Sequence, residues 1–453
     1  MMTPRTSLLV WTALLAVPAL GWLIWAPGPV PAALLLAWAG GATLDAWRSR
    51  RDMADLRLIA PDLARWARRQ DDRLAVRLLA DLPRPRAIRL GLAAPPELGV
   101  QADIRQTQLP AGAGEVRLEW PVRPRERGGF RIDRCRAETD SRWGLWAVRR
   151  DLPLAVEVRV YPGLLSERRR APALFMRRGF FGIRQQRRYG KGREFEQLRD
   201  YQSGDCLDDI HWKATAKRGR PVTKMYQVER TQEVYVAVDA SRLSGRPVAP
   251  DPENDAPGRA DEPADTLIER YVNAALLLGR AAEMQGDLFG LLSFSDRLLS
   301  FVRARRGLCH TRSCLDAVCQ LRTRPVAPDF GEVCSFIRHR LRRRALIVLL
   351  TQLDDPALEE SLLRNVELVR RQHLVLVCMP APRIVRPLFG EPGAVHTPDD
   401  IYAALGGHLR WRRLRNTAEA LRKKGVDFLL TPDDSLLTGM ITRYLNIKQR
   451  QTL

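Results

Sequence analysis

The chain has no Cys-x-x-Cys pair and no histidine at ligand spacing from a cysteine pair. That argues against the common zinc knuckles. Cysteines number seven, at 135, 206, 309, 314, 319, 334 and 378. The odd count and the spacing point to reduced, mostly buried thiols in a cytosolic setting. Cys309, Cys314 and Cys319 recur every five residues; that interval walks around a helix and gathers no ligand set. A phosphate-cradling loop is missing too, because Gly190-Lys191-Gly192 lacks the Walker spacing. No stretch interleaves basic and aromatic residues as a single-strand-binding channel does. Acidic residues are the other shortage. Asp and Glu total 52 against 74 Lys and Arg, a net charge of +22. Such an excess favours anionic lipid, nucleic acid or an acidic partner, unless it reflects a general arginine bias, since arginine is spread along the whole chain.

A length of 453 residues predicts two or three domains. Residues 7–25 carry no charge, and 30–47 carry only Asp45. Each run can cross a core of roughly 30 Å at 1.5 Å per residue. Pro27-Gly28-Pro29 marks a tight turn between them. The expected element is a transmembrane helical hairpin within residues 1–50. Trp22, Trp25 and Trp47 fall near its interfaces, and Gly40-Gly41 allows close approach. Arg5 precedes the first run and Arg48, Arg50 and Arg51 follow the second. Both termini and the soluble domains are therefore expected in the cytosol, with two passes. A cleaved signal peptide ending near Pro31-Ala32-Ala33 is the rival reading.

Residues 51–165 switch to short alternating runs, such as 87–92, 115–120 and 156–161, separated by Gly and Pro turns. This pattern predicts a small antiparallel β-sandwich. A basic bridge follows over 166–193 and includes Arg177, Arg178, Arg184, Arg187, Arg188 and Lys191. It reads either as an exposed connector or as a contact for the anionic inner leaflet; nucleic acid is the less favoured anionic partner. From 234 to 453 buried-looking strands alternate with helical sequence, which predicts a parallel, Rossmann-like sheet covered on both faces. Strands are expected near 234–239, 288–294, 345–351, 373–379 and 426–431, and helices at 265–285, 315–321 and 332–341. A Pro-rich acidic insert, 245–265, interrupts this module and is expected to be disordered. Ligands of such sheets sit at the carboxyl ends of the strands, which places Asp239 and Thr351 on the same rim.

The segment 194–233 is densely polar yet carries Phe195, Leu198, Tyr201, Ile210 and Trp212, which favour burial. His211 lies near Asp205, Asp208, Asp209 and Lys213, a set that invites a hydrolase reading. No matching nucleophile accompanies it. Ion pairs of Arg199, Asp205 and Lys213 that pin the segment to the α/β module are the simpler expectation.

Gly192, Glu194, Phe195, Leu198, Arg199, Tyr201, Gly204, Asp205, Ile210, Trp212, Lys213, Ala214 and Ala216 together resemble the signature of the bacterial domain-of-unknown-function family 58. Asp208 stands where that family carries arginine. Arg127-Gly128, Asp140 and Gly144-Leu145-Trp146 also resemble a family stretch, imperfectly. The resemblance implies a von Willebrand factor A-like module whose metal site uses D-x-S-x-S, a loop threonine and T-D-G. Asp239 and Ser241 fit that pattern. Ser244 falls one residue late, Asp329 is the nearest counterpart of the loop threonine, and Thr351 is followed by Gln352-Leu353 before Asp354. So degenerate a set is expected to bind Mg²⁺ weakly or not at all. The resemblance further implies a non-enzymatic, membrane-anchored adaptor in the bacterial cytoplasmic membrane, working with a MoxR-type AAA+ ATPase, with Asp239, Ser241, Thr351 and Asp354 on the docking face.

Overall fold

A computed structural model describes residues 2–25, 29–101, 104–163, 189–202, 207, 210–227, 232–248, 265–353, 355–381, 385, 387, 398–432 and 435–449. The chain divides into two compact units, Met1–Gly163 and Leu164–Leu453.

Unit 1 opens with a short strand, β1 (Met2–Pro4), and two helices, α1 (Thr6–Trp25) and α2 (Pro29–Asp52). Among the described residues, the helical stretch Pro29–Asp55 is long and apolar enough to cross a membrane; Thr6–Ala19 is a shorter apolar stretch. α2 continues past residue 47, where the apolar run ends. The reason is packing rather than hydropathy. Ala42, Asp45 and Ser49 are buried, and a spacing of three and four residues puts them on one helical face.

Strands follow as β2 (Arg57–Ile59), β3 (Leu63–Ala67), β4 (Asp72–Leu82), β5 (Arg86–Leu92), β6 (Ile104–Leu109), β7 (Gly112–Val122), β8 (Gly128–Asp140) and β9 (Trp146–Tyr161). They form two sheets. One runs β1-β9-β8-β5-β6 with β3 added parallel to β9; the other runs β2-β4-β7. Period-two alternation sends Leu74, Val76, Leu78, Ala80 and Leu82 of β4 into the same apolar core as Ile88, Leu90 and Leu92 of β5. Trp120 of β7 and Val156, Val158 and Val160 of β9 complete it.

The turn between β8 and β9 seats the helices. Trp143 N donates to Asp45 Oδ1 (3.2 Å), Arg142 N to Ser49 Oγ (3.2 Å) and Trp146 Nε1 to the Ala42 carbonyl (3.0 Å). Arg5 N donates to the Leu145 carbonyl (3.0 Å), and Ser7 Oγ to the Gly144 carbonyl (2.6 Å). The Asp52 carboxylate receives Arg142 Nη2 (3.1 Å) and Arg86 Nη2 (2.8 Å). Both helices lie within the first unit, Met1–Gly163.

Unit 2 begins with an antiparallel pair, β10 (Tyr189–Asp200) and β11 (Val222–Gln227), with α3 (Trp212–Arg218) between them. The large sheet comprises β12 (Glu233–Asp239), β13 (Leu288–Phe294), β14 (Leu298–Arg305), β15 (Ala345–Leu350), β16 (Leu374–Ala381) and β17 (Asp427–Pro432). Its order is β14-β13-β12-β15-β16-β17, parallel throughout except for edge strand β14. Helices α4 (Leu267–Met284), α5 (Leu308–Cys319) and α9 (Leu436–Gln449) share one core with Val234, Val236, Val238, Leu346 and Val348. Helices α6 (Phe330–Arg340), α7 (Pro356–Arg370) and α8 (Pro398–Lys423) share the other with Tyr235, Ala237, Ile347 and Leu349. Continuous apolar runs are what a sheet buried on both faces requires.

Two elements differ from expectation. α5 starts seven residues before the helix expected at 315, and β14 was not expected at all. β14 is an edge strand whose residues are mostly half-buried, so it shows neither a continuous apolar run nor a clean alternation. Gly290 in β13 is a tight point: a Cβ there would lie 2.3 Å from the Tyr235 ring and 2.9 Å from Ala304 N. Tyr235 is buried and its hydroxyl accepts from Ala304 N (3.2 Å). Gly290→Ala is expected to cost about 1–3 kcal/mol in chemical denaturation of the chain, by overpacking. An unchanged midpoint would mean that the ring moves aside freely.

Candidate functional site

The direction of chain progression reverses about β12. It is flanked by β13 on one side and β15 on the other, and the crevice of a doubly wound sheet opens at such a switch point, beyond the strands' carboxyl ends. Asp239 ends β12, and Thr351 directly follows β15. Thr351 Oγ1 donates to Asp239 Oδ2 (2.7 Å), and Ser241 N donates to Asp239 Oδ1 (2.8 Å). Ser244 Oγ donates to the Asp239 carbonyl (2.6 Å). Asp239, Ser241, Ser244 and Thr351 are all fully buried. The structure thus brings these four sequence-predicted residues together, as a closed framework beneath the surface. As buried groups they cannot themselves be the docking atoms.

Burial pushes the Asp239 carboxyl above its usual range, and the hydrogen bonds from Thr351 and Ser241 pull it partly back. Tyr271 of α4 adds to the knot by donating to the Thr351 carbonyl (2.9 Å). Sequence reasoning missed Tyr271, although it lies four residues after Leu267 on the apolar face of the helix. Gln352 was also missed; it is buried, and its Nε2 donates to the Pro380 carbonyl (2.7 Å).

Asp329 stands apart from the knot. It is exposed, and its Oδ1 accepts from Gly331 N (2.8 Å) and Glu332 N (3.1 Å) as the cap of α6. Its backbone N donates to the Ser295 carbonyl (2.8 Å), while Arg324 N donates to the Ala240 carbonyl (2.8 Å) and Arg242 N to the Val326 carbonyl (3.0 Å). Three loops are thereby knitted over the strand ends. Their exposed charges include Arg242, Asp296, Arg297, Arg322 and Asp329, with Asp296 held by Arg324 (3.1 Å). Asp354 lies outside the described residues.

A hard cation such as Mg²⁺ needs about six oxygens, several of them free to turn toward it. Here both carboxylate oxygens of Asp239 face donors of their own chain. The Thr351 and Ser244 protons point at Asp239, and Oδ1 of Asp329 caps its helix. Of the four buried side chains only Ser241 Oγ lacks a hydrogen-bond partner, and one free hydroxyl falls short of the oxygen set a divalent ion needs. Among the described residues no group of three or more His, Cys, Asp or Glu side chains could hold a metal.

The signature segment is also resolved in part. Gly192, Glu194 and Phe195 lie on β10, with Glu194 opposite Gln227 and Phe195 opposite Tyr226. Leu198 and Tyr201 are half-buried and Ile210 is buried. Trp212, expected to be buried, is exposed: it opens α3, a two-turn helix with no buried residue. His211 accepts from Ala214 N through Nδ1 (3.0 Å) and so caps α3. Lys213 is exposed, and half-buried Arg199 hydrogen-bonds Gln202. Gly204, Asp205, Arg177, Arg178, Arg184, Arg187, Arg188 and most of the insert lie outside the described residues, as does the side chain of Lys191.

Residues 197–249 and 258–384 match the family model described as "Protein of unknown function DUF58". The resemblance carried by the signature is therefore borne out over those residues. No curated protein matches the chain. Among solved structures, the SpRpn10 VWA domain aligns at 10% identity and a TM-score of 0.27, covering 47% of this chain and 95% of that one. Proximal thread matrix protein 1 from the mussel byssus, solved with a zinc-occupied MIDAS motif, aligns at 10% identity and 0.28, covering 48% and 46%. The ASH/PapD-like domain of human CEP192 aligns at 11% identity and 0.18, covering 24% and 87%.

Proposed function

We propose that this chain is a membrane-anchored, non-enzymatic adaptor whose α/β module docks a protein partner at the carboxyl end of its sheet. The observation that carries the reading is the closed knot at Asp239. A switch-point crevice is where such folds bind, yet here its one buried carboxylate is tied to Ser241 and Thr351. That arrangement supplies a rigid floor rather than a reactive group. The charges available to a partner on the loops above it include Arg242, Asp296, Arg297, Arg322 and Asp329. α1 and α2 form the membrane hairpin in this reading, and the two sheets of unit 1 form the sandwich that the hairpin carries. The resemblance to family 58 supplies the partner class, a MoxR-type AAA+ ATPase, and the setting, the bacterial cytoplasmic membrane. No divalent cation is required at the rim.

The test is a pull-down of the tagged full chain from membranes in mild detergent with ATP and Mg²⁺, read by mass spectrometry. An AAA+ ATPase is expected with the unaltered chain. The Arg242→Glu/Asp296→Lys variant, altered only at the surface, should lose at least tenfold of it, while Asp239→Asn should retain it. Absence of any ATPase from the unaltered sample would sink the adaptor reading.

A further inference from the structure

Unit 1 contains a half-open cavity of about 1540 Å³ between the end of α2 and the sheet formed by β5, β8 and β9. It exceeds the roughly 300–1,000 Å³ of ordinary small-molecule clefts. Six arginines line it: Arg50, Arg51, Arg89, Arg136, Arg149 and Arg150. Only two carboxylates, Glu138 and Asp151, share the wall. Glu138 serves both Arg149 (2.7 Å) and Arg89 (3.7 Å), and Asp151 lies 3.8 Å from Arg136. Arg150 donates to the Met53 carbonyl. Arg50 and Arg51 have no carboxylate partner among the described residues; Arg51 lies over the Trp47 ring, 5.7 Å from its centroid. The lining therefore carries four more positive than negative side chains.

The rest of the wall is apolar, with Trp47, Leu92 and Ile104 among it. Below it on α2, Val30, Leu34, Leu36 and Leu44 are exposed. Of these, Leu44 lies one turn before Trp47 of the cavity wall, so exposed apolar surface of α2 leads up to the basic cavity. A free anion would need only the arginines. A molecule with an anionic head and long apolar tails would use both features.

We propose that this cavity binds the headgroup of an anionic phospholipid whose acyl chains lie along α2. The proposal rests on the membrane reading of α1 and α2 given above. Arginine suits the task, since its fork of donors matches phosphate oxygens. The site is distinct from the basic bridge at 166–193, and it places lipid recognition in unit 1.

The full chain would be purified in detergent and titrated with phosphatidylglycerol, phosphatidylcholine and inorganic phosphate, with retained lipid read by native mass spectrometry and stability by thermal unfolding. Phosphatidylglycerol is expected to be retained and to raise the melting temperature; the other two are not. Arg50→Gln/Arg51→Gln, at exposed positions, should bind phosphatidylglycerol roughly thirtyfold more weakly. Arg73→Gln/Arg77→Gln, with the same charge change on β4, should bind as the unaltered chain does. Equal protection by inorganic phosphate, equal retention of phosphatidylcholine, or an unchanged affinity in the Arg50/Arg51 variant would each overturn the proposal. Carbonate extraction of membranes is run alongside. Release of the unaltered chain would sink the anchor reading, and the lipid titration would still report on the cavity.

Discussion

Asp239→Ala is expected to destabilise the α/β module by about 2–5 kcal/mol, whereas Asp239→Asn should be close to neutral. Truncation strands two buried donors, Ser241 N and Thr351 Oγ1, which now reach the carboxylate at 2.8 and 2.7 Å. Each buried group left without a partner costs about 1–3 kcal/mol. Asparagine keeps one oxygen for Ser241 N and can present its amide to the Thr351 hydroxyl. Chemical denaturation at neutral pH separates the two outcomes; a loss below 1 kcal/mol for the alanine variant would mean that water replaces the missing carboxylate. The pH dependence has a definite sign. Burial raises the folded carboxyl above its unfolded value, so the folded state holds its proton to higher pH than the unfolded chain does. This group's contribution to stability is therefore greatest in acid and falls as pH rises from the ordinary carboxylate value through the raised one. Asp239→Asn should remove that slope. A slope that persists in the asparagine variant would assign it to another group.

Asp52→Ala is expected to be equally costly in unit 1, about 3–5 kcal/mol, because it breaks a nearly buried ion pair from one side only. Asp52 and Arg86 side chains are each 11% exposed and 2.8 Å apart. Arg142 adds a second guanidinium on the same carboxylate. Burial already lowers the Arg86 pKa, and the Asp52 charge is the main influence opposing it. Without Asp52 the cation remains in its low-dielectric site with Arg142 nearby and Asp45 as the remaining acid. Asp52→Leu combined with Arg86→Met should recover a large part of the loss, since an apolar pair of similar volume removes the desolvation cost together with the attraction. Thermal unfolding in detergent would show this as a double-mutant cycle. Additive losses would mean that the two side chains do not depend on each other.

Much of the α/β module was legible because its physics is local. The strands at 234–239 and 345–350 are unbroken apolar runs, and a sheet covered on both faces asks for nothing else. The meeting of Asp239 with Thr351 also followed from strand direction alone. What the sequence hid was the state of the site. Pattern matching treats Asp239, Ser241 and Ser244 as candidate ligands, but only the folded chain reveals that the Asp239 carboxylate and the Ser244 hydroxyl are engaged within the chain while the Ser241 hydroxyl is not. Trp212 misled for the opposite reason: a large apolar ring signals burial on average, and α3 is too short and too polar to offer any. The clamp on α2 was invisible for a third reason. Asp45, Ser49 and Asp52 bind residues about ninety positions away, and no local period encodes such a contact.

The seat formed by residues 141–146 also imposes an order of events on synthesis. Chains emerge amino terminus first, so α1 and α2 exist well before the turn that grips them. β1 must likewise wait for its partner, since Met2 pairs with Val148. Until that late strand arrives, Asp45 and Asp52 have neither Trp143 nor Arg142 to answer them. The two helices therefore pass through a nascent stage in which their lower ends are unlatched. Their final tilt is set only when the β8–β9 hairpin closes on them.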